Sequence, residues 1–264
     1  MGLHFAVERT ALFIDLDGTI VPIAPQPDGV IASPACRVVL RRALDQLSGR
    51  LAVLSGRTIS SVDEVLGGVV LCVAGVHGLQ RRTPLGVLHL EPPHASVADA
   101  ASVLEALAKA QPGLVVEAKG PSVAIHYRAV PDAEDAILET VDRLADASGL
   151  VVQRGKAVAE LRTPGPDKGS ALGRFMLEAP FAGSRPLFIG DDLTDEAGFA
   201  EASRLGGLGI LVGPARQTSA CGRLANPPAV LSWIVHSLDR GFFDLREAGC
   251  SDPPPSASGA KKAS

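Results

Sequence analysis

The chain has no surplus of positive charge: 25 Lys and Arg against 29 Asp and Glu leave a net charge of −4 over 264 residues. That balance excludes a general nucleic-acid binder or a protein spread over an anionic membrane surface. An anionic ligand must therefore be met by local cations or a metal. There is no apolar stretch approaching the roughly 20 residues of a membrane span. A signal-peptide core is also lacking, since His4, Glu8 and Arg9 precede a short apolar run that meets Asp15. A cytoplasmic protein is the expectation. Cysteine is scarce: Cys36, Cys72, Cys221 and Cys250 form no C-x-x-C pair, and no nearby histidine supplies zinc spacing. Buried free thiols in a reducing compartment are expected. What is present is an ordinary globular composition, 46% hydrophobic and 20% charged, enough for one large domain or two modest ones.

The order of predicted elements is informative. Residues 11–14 form a short apolar run that stops at Asp15-Leu16-Asp17-Gly18-Thr19, the pattern of a buried strand ending in a polar loop. Residues 22–34 are rich in proline and glycine and read as a loop, a candidate flap over the strand end. A helix fits 35–47, where Val38, Val39, Leu40, Ala43, Leu44 and Leu47 make an apolar stripe. A strand at 51–54, a helix at 59–66 and a strand at 69–74 follow. This alternation predicts an α/β fold, a doubly wound parallel sheet covered on both faces. The pattern changes after His77, with a hairpin at 79–90, helices at 96–110 and 133–147, and strands at 114–118, 122–127, 150–153 and 157–161. That block reads as a smaller inserted α/β cap, closed by Thr163-Pro164-Gly165-Pro166. The first pattern then resumes, with helices at 168–177 and 229–238 and strands at 186–189 and 209–212. The expected division is core 1–78, cap 79–163 and core 164–250. A tail at 251–264 cannot bury itself and is expected to be disordered.

Four polar clusters fall where predicted core elements begin or end, and the carboxyl ends of parallel strands line a ligand crevice. They are Asp15 with Asp17, Ser55-Gly56-Arg57, Lys168, and Gly190-Asp191-Asp192-Leu193-Thr194-Asp195. Gathered together, Asp15 and Asp191, with Asp195 close by, would need a cation. Oxygen-only ligands suit Mg²⁺. Metal and Lys168 would neutralise a bound phosphate, so that Asp15 could attack it as a carboxylate nucleophile. Asp17 is placed to protonate the leaving oxygen and later to take a proton from water. Ser55 and neighbouring backbone N–H groups would hold the phosphoryl oxygens, and Gly18 lets the backbone turn closely. Blander readings exist for each part: Asp15 and Asp17 as turn formers, Ser55-Gly56 as an ordinary loop, His77 as a structural histidine, Arg81-Arg82 as hairpin surface. Lys168 at a helix start opposes the dipole, which hints at another reason for its place. The agreement of all four clusters in order favours the catalytic reading.

These residues and their order resemble the haloacid dehalogenase superfamily of phosphatases. The resemblance implies Mg²⁺ held by Asp15, the main-chain carbonyl of Asp17, and Asp191, with Asp192 and Asp195 behind them or on metal-bound water. Three further stretches resemble the trehalose-6-phosphate phosphatase branch: Ala74-Gly75-Val76-His77-Gly78, Glu117-Ala118-Lys119 leading to His126-Tyr127-Arg128, and Gly155-Lys156 leading to Glu160-Leu161-Arg162. Gly190 to Glu196 matches the late signature of that branch. The likeness spans about residues 9–240 and implies a sugar-phosphate monoesterase. His77, Lys119, Arg128, Lys156 and Glu160 would join Gly56 and Arg57 in binding substrate, although alternating charges on strands are usually a solvated face. Gln80 departs from the branch, which carries an acidic residue there. A monomer acting on a small sugar phosphate is expected, with no nucleic-acid or membrane partner. Competing readings are a signalling receiver domain, opposed by chain length and the late acidic pair, and a silent binding protein, opposed by the presence of both Asp15 and Asp17. A sister phosphatase for sucrose phosphate or a glycosyl-phosphoglycerate is the third. Turn-rich connections near 75–79 and 163–166 suggest a cap that closes over substrate.

Overall fold

Apolar runs that are buried on both faces make the centre of the molecule. The structure is a computed structural model and describes residues 3–23 and 30–251. Its first segment contains β1 (His4–Ala6), β2 (Thr10–Ile14), α1 (Pro34–Gln46), β3 (Leu51–Leu54), α2 (Ile59–Leu66), β4 (Cys72–Gly75), β5 (Gln80–Arg82) and β6 (Leu88–Leu90). Then come α3 (Val97–Ala110), β7 (Val115–Ala118), β8 (Ser122–His126), α4 (Glu134–Ser148), β9 (Val151–Gly155) and β10 (Val158–Arg162). The last segment holds α5 (Lys168–Met176), β11 (Arg185–Gly190), α6 (Glu196–Arg204), β12 (Leu208–Val212), β13 (Gly222–Leu224), α7 (Pro227–Arg240) and β14 (Phe242–Asp244).

The main sheet has the order β13-β12-β11-β2-β3-β4-β5-β6, parallel from β13 to β4. All five residues of β2 are buried. Leu12 and Ile14 enter one core with Leu40, Val62 and Trp233 from α1, α2 and α7. Ala11 and Phe13 enter the other with Leu172, Phe175 and Phe199 from α5 and α6. Because side chains alternate across a strand, a strand buried on both faces must be apolar throughout. That is why the run was readable from sequence. From β2 the chain winds outward through β3 and β4, then returns to place β11 on the other side. The reversal lies between β2 and β11, where open sheets leave a crevice at the strand ends. The fold class is the expected one.

A second, antiparallel sheet has the order β7-β8-β10-β9. Helices α3 and α4 cover it, and Leu104, Val123, Ile125, Ile137 and Leu161 form its separate core.

Several expectations are corrected here. Residues 79–90 were grouped with the cap, but β5 pairs antiparallel with β4 and β6 with β5, so this hairpin extends the core sheet. Its polar sequence fits that edge because neighbouring core elements supply partners. Arg82 forks onto Asp63 at 2.6 and 2.7 Å, and Arg81 binds Glu178 at 2.9 Å while lying over the Phe175 ring. Arg81 is therefore buried, not hairpin surface. Helix α6 and strands β1, β13 and β14 were not anticipated. Of the four cysteines expected as free thiols, Cys36 and Cys72 are free and buried, whereas Cys221 and Cys250 form a disulfide. Folding brings two cysteines 29 positions apart into contact, a pairing that spacing does not encode. Residues 24–29 of the expected flap and the tail beyond Ser251 lie outside the described residues.

Closing a 29-residue loop constrains the unfolded chain. Cys250→Ser should accordingly lower stability by about 3–4 kcal/mol under oxidising conditions. Urea denaturation checks this, and adding reductant should bring wild type down to the variant.

Candidate active site

The crevice between the two sheets is an open cleft lined by residues of both. Thirteen of the fourteen residues singled out from sequence line it: Asp15, Asp17, Ser55, Gly56, Arg57, His77, Lys119, Arg128, Lys156, Glu160, Lys168, Asp191 and Asp192. The fourteenth, Asp195, is fully buried just behind. Glu117, His126 and Thr194 also line the cleft. All three lay inside motifs quoted from sequence without being singled out.

The floor is built from strand ends. Asp15 follows β2, and its N–H donates to Ile189 of β11 at 2.9 Å, so the carboxylate sits at the chain reversal. Asp191 follows β11 directly. Lys168, the first residue of α5, is 3% exposed and donates to Oδ1 of Asp15 and Oδ1 of Asp195, each at 2.7 Å. This explains a cation at a helix start: the two carboxylates outweigh the dipole, and Asp167 supplies the N-cap. The other oxygen of Asp195 accepts the N–H groups of Asp191 and Asp192, both at 2.9 Å, so Asp195 holds the turn that aims Asp191. Gly18 has φ +81°, and a Cβ there would lie 2.2 Å from the Asp191 carboxylate. Only glycine lets the two acidic loops approach this closely.

One wall is the loop after β3. Ser55 is buried, and its carbonyl accepts the His77 N–H at 2.9 Å. Arg57 forks onto Asp17 through Nε at 2.6 Å and Nη2 at 2.8 Å. A Cβ on Gly56 would meet the His77 ring at 2.7 Å, so Gly56 and His77 fit as a unit. Gln80, the departure noted above, does not line the cleft. Its Oε1 accepts the Ile59 N–H at 3.0 Å at the start of α2.

The roof is the antiparallel sheet. Lys119 donates to Glu160 at 2.8 Å and to the Gly56 carbonyl at 3.0 Å, while Glu160 also faces His77 Nε2 at 3.5 Å. Glu117 pairs with His126 at 3.0 Å. Lys156 donates to the Asp191 carboxylate, and Arg128 donates to the Lys156 carbonyl at 2.9 Å. These residues are paired; Lys119, Glu160 and His77 are buried, whereas Arg128 and Lys156 remain exposed.

Burial pushes the Glu160 carboxyl up, but the Lys119 charge and the His77 contact outweigh it and leave it well below the carboxylate range. Burial lowers His77 despite Glu160, which favours the neutral ring. On the floor the balance is reversed. Desolvation drives Asp15 well up, with Asp195 and Asp191 adding to it and Lys168 opposing. Desolvation likewise raises Asp191 to about 6, with Lys156 opposing and Asp195 adding.

A family model described as trehalose-phosphatase matches residues 13–226. The chain belongs to the trehalose-phosphatase family. Members of this family are phosphoric monoester hydrolases. The chain is 40% identical over 246 residues to the trehalose-6-phosphate phosphatase of Escherichia coli (strain K12), covering 92% of each. The C-terminal domain of the C. albicans trehalose-6-phosphate phosphatase has the same fold, with a TM-score of 0.79 at 22% identity over 88% of this chain and 93% of that one. A phosphatase of the HAD superfamily from Bacteroides thetaiotaomicron matches at TM-score 0.58 and 16% identity, over 86% and 94% of the two chains. The core thus shares the fold of that superfamily's phosphatase.

Within that trehalose-phosphatase frame, Asp15, Asp191 and Asp195 each offer a carboxylate oxygen within 4.8 Å of the others. Burial, reinforced by neighbouring carboxylates, raises the Asp15 and Asp191 carboxyls despite Lys168 and Lys156. An all-oxygen donor set of this kind fits a hard divalent cation such as Mg²⁺. The Asp192 side chain instead accepts the Leu193 N–H, outside that group.

Lys168→Met removes the one buried cation between Asp15 and Asp195. In metal-free buffer it should cost about 3–5 kcal/mol of stability at neutral pH. A carboxyl whose folded pKa is raised is destabilising when ionised, so this deficit should shrink as pH falls and Asp15 takes up a proton. Urea denaturation across pH is the measurement.

Proposed function

We propose that the chain hydrolyses trehalose 6-phosphate to trehalose and phosphate, with Asp15 as a covalent nucleophile and Mg²⁺ as cofactor. The observation that carries this reading is the buried Asp15–Lys168–Asp195 group, which faces, across one cleft, a roof of fixed carboxylates and cations suited to a sugar. A carboxylate oxygen of Asp15 attacks phosphorus, and the bond from phosphorus to the sugar oxygen breaks. Asp17 donates a proton to the departing oxygen. It then takes one from water, which attacks the aspartyl-phosphate, releases phosphate and regenerates Asp15. Ser55 and the adjacent backbone N–H groups hold the phosphoryl oxygens, and Lys168, together with a bound cation, favours the anionic form of Asp15 against its burial. Asp15 and Asp191, with Asp195 behind them and the Asp17 carbonyl beside them, would hold Mg²⁺. When bound, it supplies positive charge against the phosphoryl group.

The roof supports the substrate. Glu160 Oε1 and His77 Nδ1 are buried without a hydrogen-bond partner, and both residues line the cleft. Such atoms are costly unless something polar meets them, and sugar hydroxyls would do so. Lys119, Glu117, Arg128 and Lys156 frame the same space. Gln80 is turned away from the cleft and so does not count against trehalose phosphate. Sucrose phosphate and a glycosyl-phosphoglycerate remain the alternatives that an assay must separate. We take the inserted unit, 91–163, to be a cap that closes on the core. Monomeric action and a cytoplasmic location complete the proposal. No described helix is long and apolar enough to cross a membrane.

With Mg²⁺, phosphate release from trehalose 6-phosphate should exceed that from glucose 6-phosphate or sucrose 6-phosphate by at least ~10²-fold in kcat/KM, as unpaired buried polar groups penalise wrong substrates. Equal rates would overturn the substrate. Asp15→Asn should abolish turnover without unfolding, Asp17→Asn should cost ~10²–10⁴ in kcat, and chelation should stop the reaction reversibly. An active Asp15→Asn would overturn the nucleophile.

A further inference from the structure

The acidic turn that carries Asp191, Asp192 and Asp195 is gripped from two sides. From within, Asp195 accepts the N–H groups of Asp191 and Asp192. From outside, the loop between β12 and β13 reaches back over the start of α6. Arg216 Nη2 donates to the Asp192 carbonyl at 2.8 Å, and its Nη1 donates to Glu196 Oε1. Thr218 Oγ1 also donates to Glu196 Oε1, at 2.8 Å, and the Ser219 N–H donates to Glu196 Oε2 at 2.7 Å. Thr218 Oγ1 in turn accepts the Ala220 N–H at 3.1 Å. The far end of the loop is stapled, because Cys221 donates its N–H to Gly209 at 2.9 Å and is disulfide-bonded to Cys250. None of these loop residues lines the cleft.

An acid at the first position of a helix, paired with a surface arginine, is an ordinary arrangement and contributes little. This one is more specific. Three donors from one loop converge on Glu196, and the same guanidinium spends a second N–H on the carbonyl of a cleft residue. A guanidinium can bridge a carboxylate and a carbonyl in fixed geometry, which an ammonium cannot do as well.

We propose that Arg216 and Glu196 are positioning residues: they lock the 190–195 turn against α6, and so set where Asp191 and Asp195 present their carboxylates to the divalent cation. The proposal rests on the metal-dependent reading above and deepens it. Groups behind metal ligands typically govern ~10–100-fold in metal affinity, because they fix ligand orientation without touching the metal. Loosening the turn should therefore weaken cation binding and leave the sugar-binding roof alone.

The test is calorimetric titration of Mg²⁺ into wild type, Arg216→Gln, Arg216→Lys and the milder Thr218→Val, with no sugar phosphate present. Arg216→Gln should weaken Mg²⁺ binding ~10-fold or more, Arg216→Lys less, and Thr218→Val a few-fold, each in folded protein by circular dichroism. In turnover, Arg216→Gln should need more Mg²⁺ for half-maximal rate, recover kcat at saturating Mg²⁺, and keep KM for the sugar phosphate. If wild type and both milder variants bind Mg²⁺ with equal affinity, the proposal is overturned while the metal-dependent reading stands. If wild type binds no Mg²⁺, both fall. Should Arg216→Gln not fold, Arg216→Lys and Thr218→Val decide the matter.

Discussion

Everything in this molecule is arranged around one buried ammonium. Lys168 lies between Asp15 and Asp195, and all three side chains are nearly or wholly withdrawn from water. Desolvating three charged groups is costly, and only close mutual contact offsets it. Lys168 is 153 positions from Asp15, with the whole antiparallel unit between them. The contact therefore requires the two core segments to complete one sheet before the ion group can form. Pairing of β11 beside β2, in register from Arg185–Thr10 to Ile189–Ile14, supplies that arrangement. Asp15, Lys168 and the acidic turn are thus brought together by one sheet order.

The group is withdrawn from water and carries more negative than positive charge, and for these two reasons, burial first, Asp15 and Asp191 resist ionisation in the bare protein. The same imbalance would destabilise a purely structural core. It suits a site completed by a cation and then by an anionic substrate, where each new charge offsets the last. Stability and function pull in opposite directions at this point, as they commonly do where groups are held ready for chemistry. The surrounding apolar layers, with Phe13 against Phe175 and Phe181, provide the rigidity that the charged group lacks.

The roof adds a second level of order. Lys119 reaches down to the Gly56 carbonyl and Lys156 to Asp191, so the inserted unit touches both the loop after β3 and the acidic turn. Two cations thus link roof and floor. A ligand bearing phosphate at one end and hydroxyls at the other would meet the floor and the roof together, and would exclude water between them.

Much of this was legible beforehand, and the reason is local. Strands buried on both faces are continuous apolar runs, and the polar residues ending them stand out at once, so Asp15, Ser55 and Asp191 could be placed without coordinates. Helix 59–66 and the cap elements were readable from period and turn residues. Other features depend on contacts between distant segments. The 79–90 hairpin is core because Asp63 and Glu178, far along the chain, answer Arg82 and Arg81. Gln80 is harmless because it caps α2. Cys221 and Cys250 bond because β13 and the C-terminal segment meet. Helix α6 was missed because its short sequence follows directly on the acidic turn, and Arg216 was missed because nothing nearby in sequence explains it. By itself the sequence determined which residues are chemically equipped and in what order they come, since periodicity and residue type act over a few positions. Tertiary structure alone decided which of them share a proton, a cation or a wall, since burial and Coulomb coupling depend on distance in space.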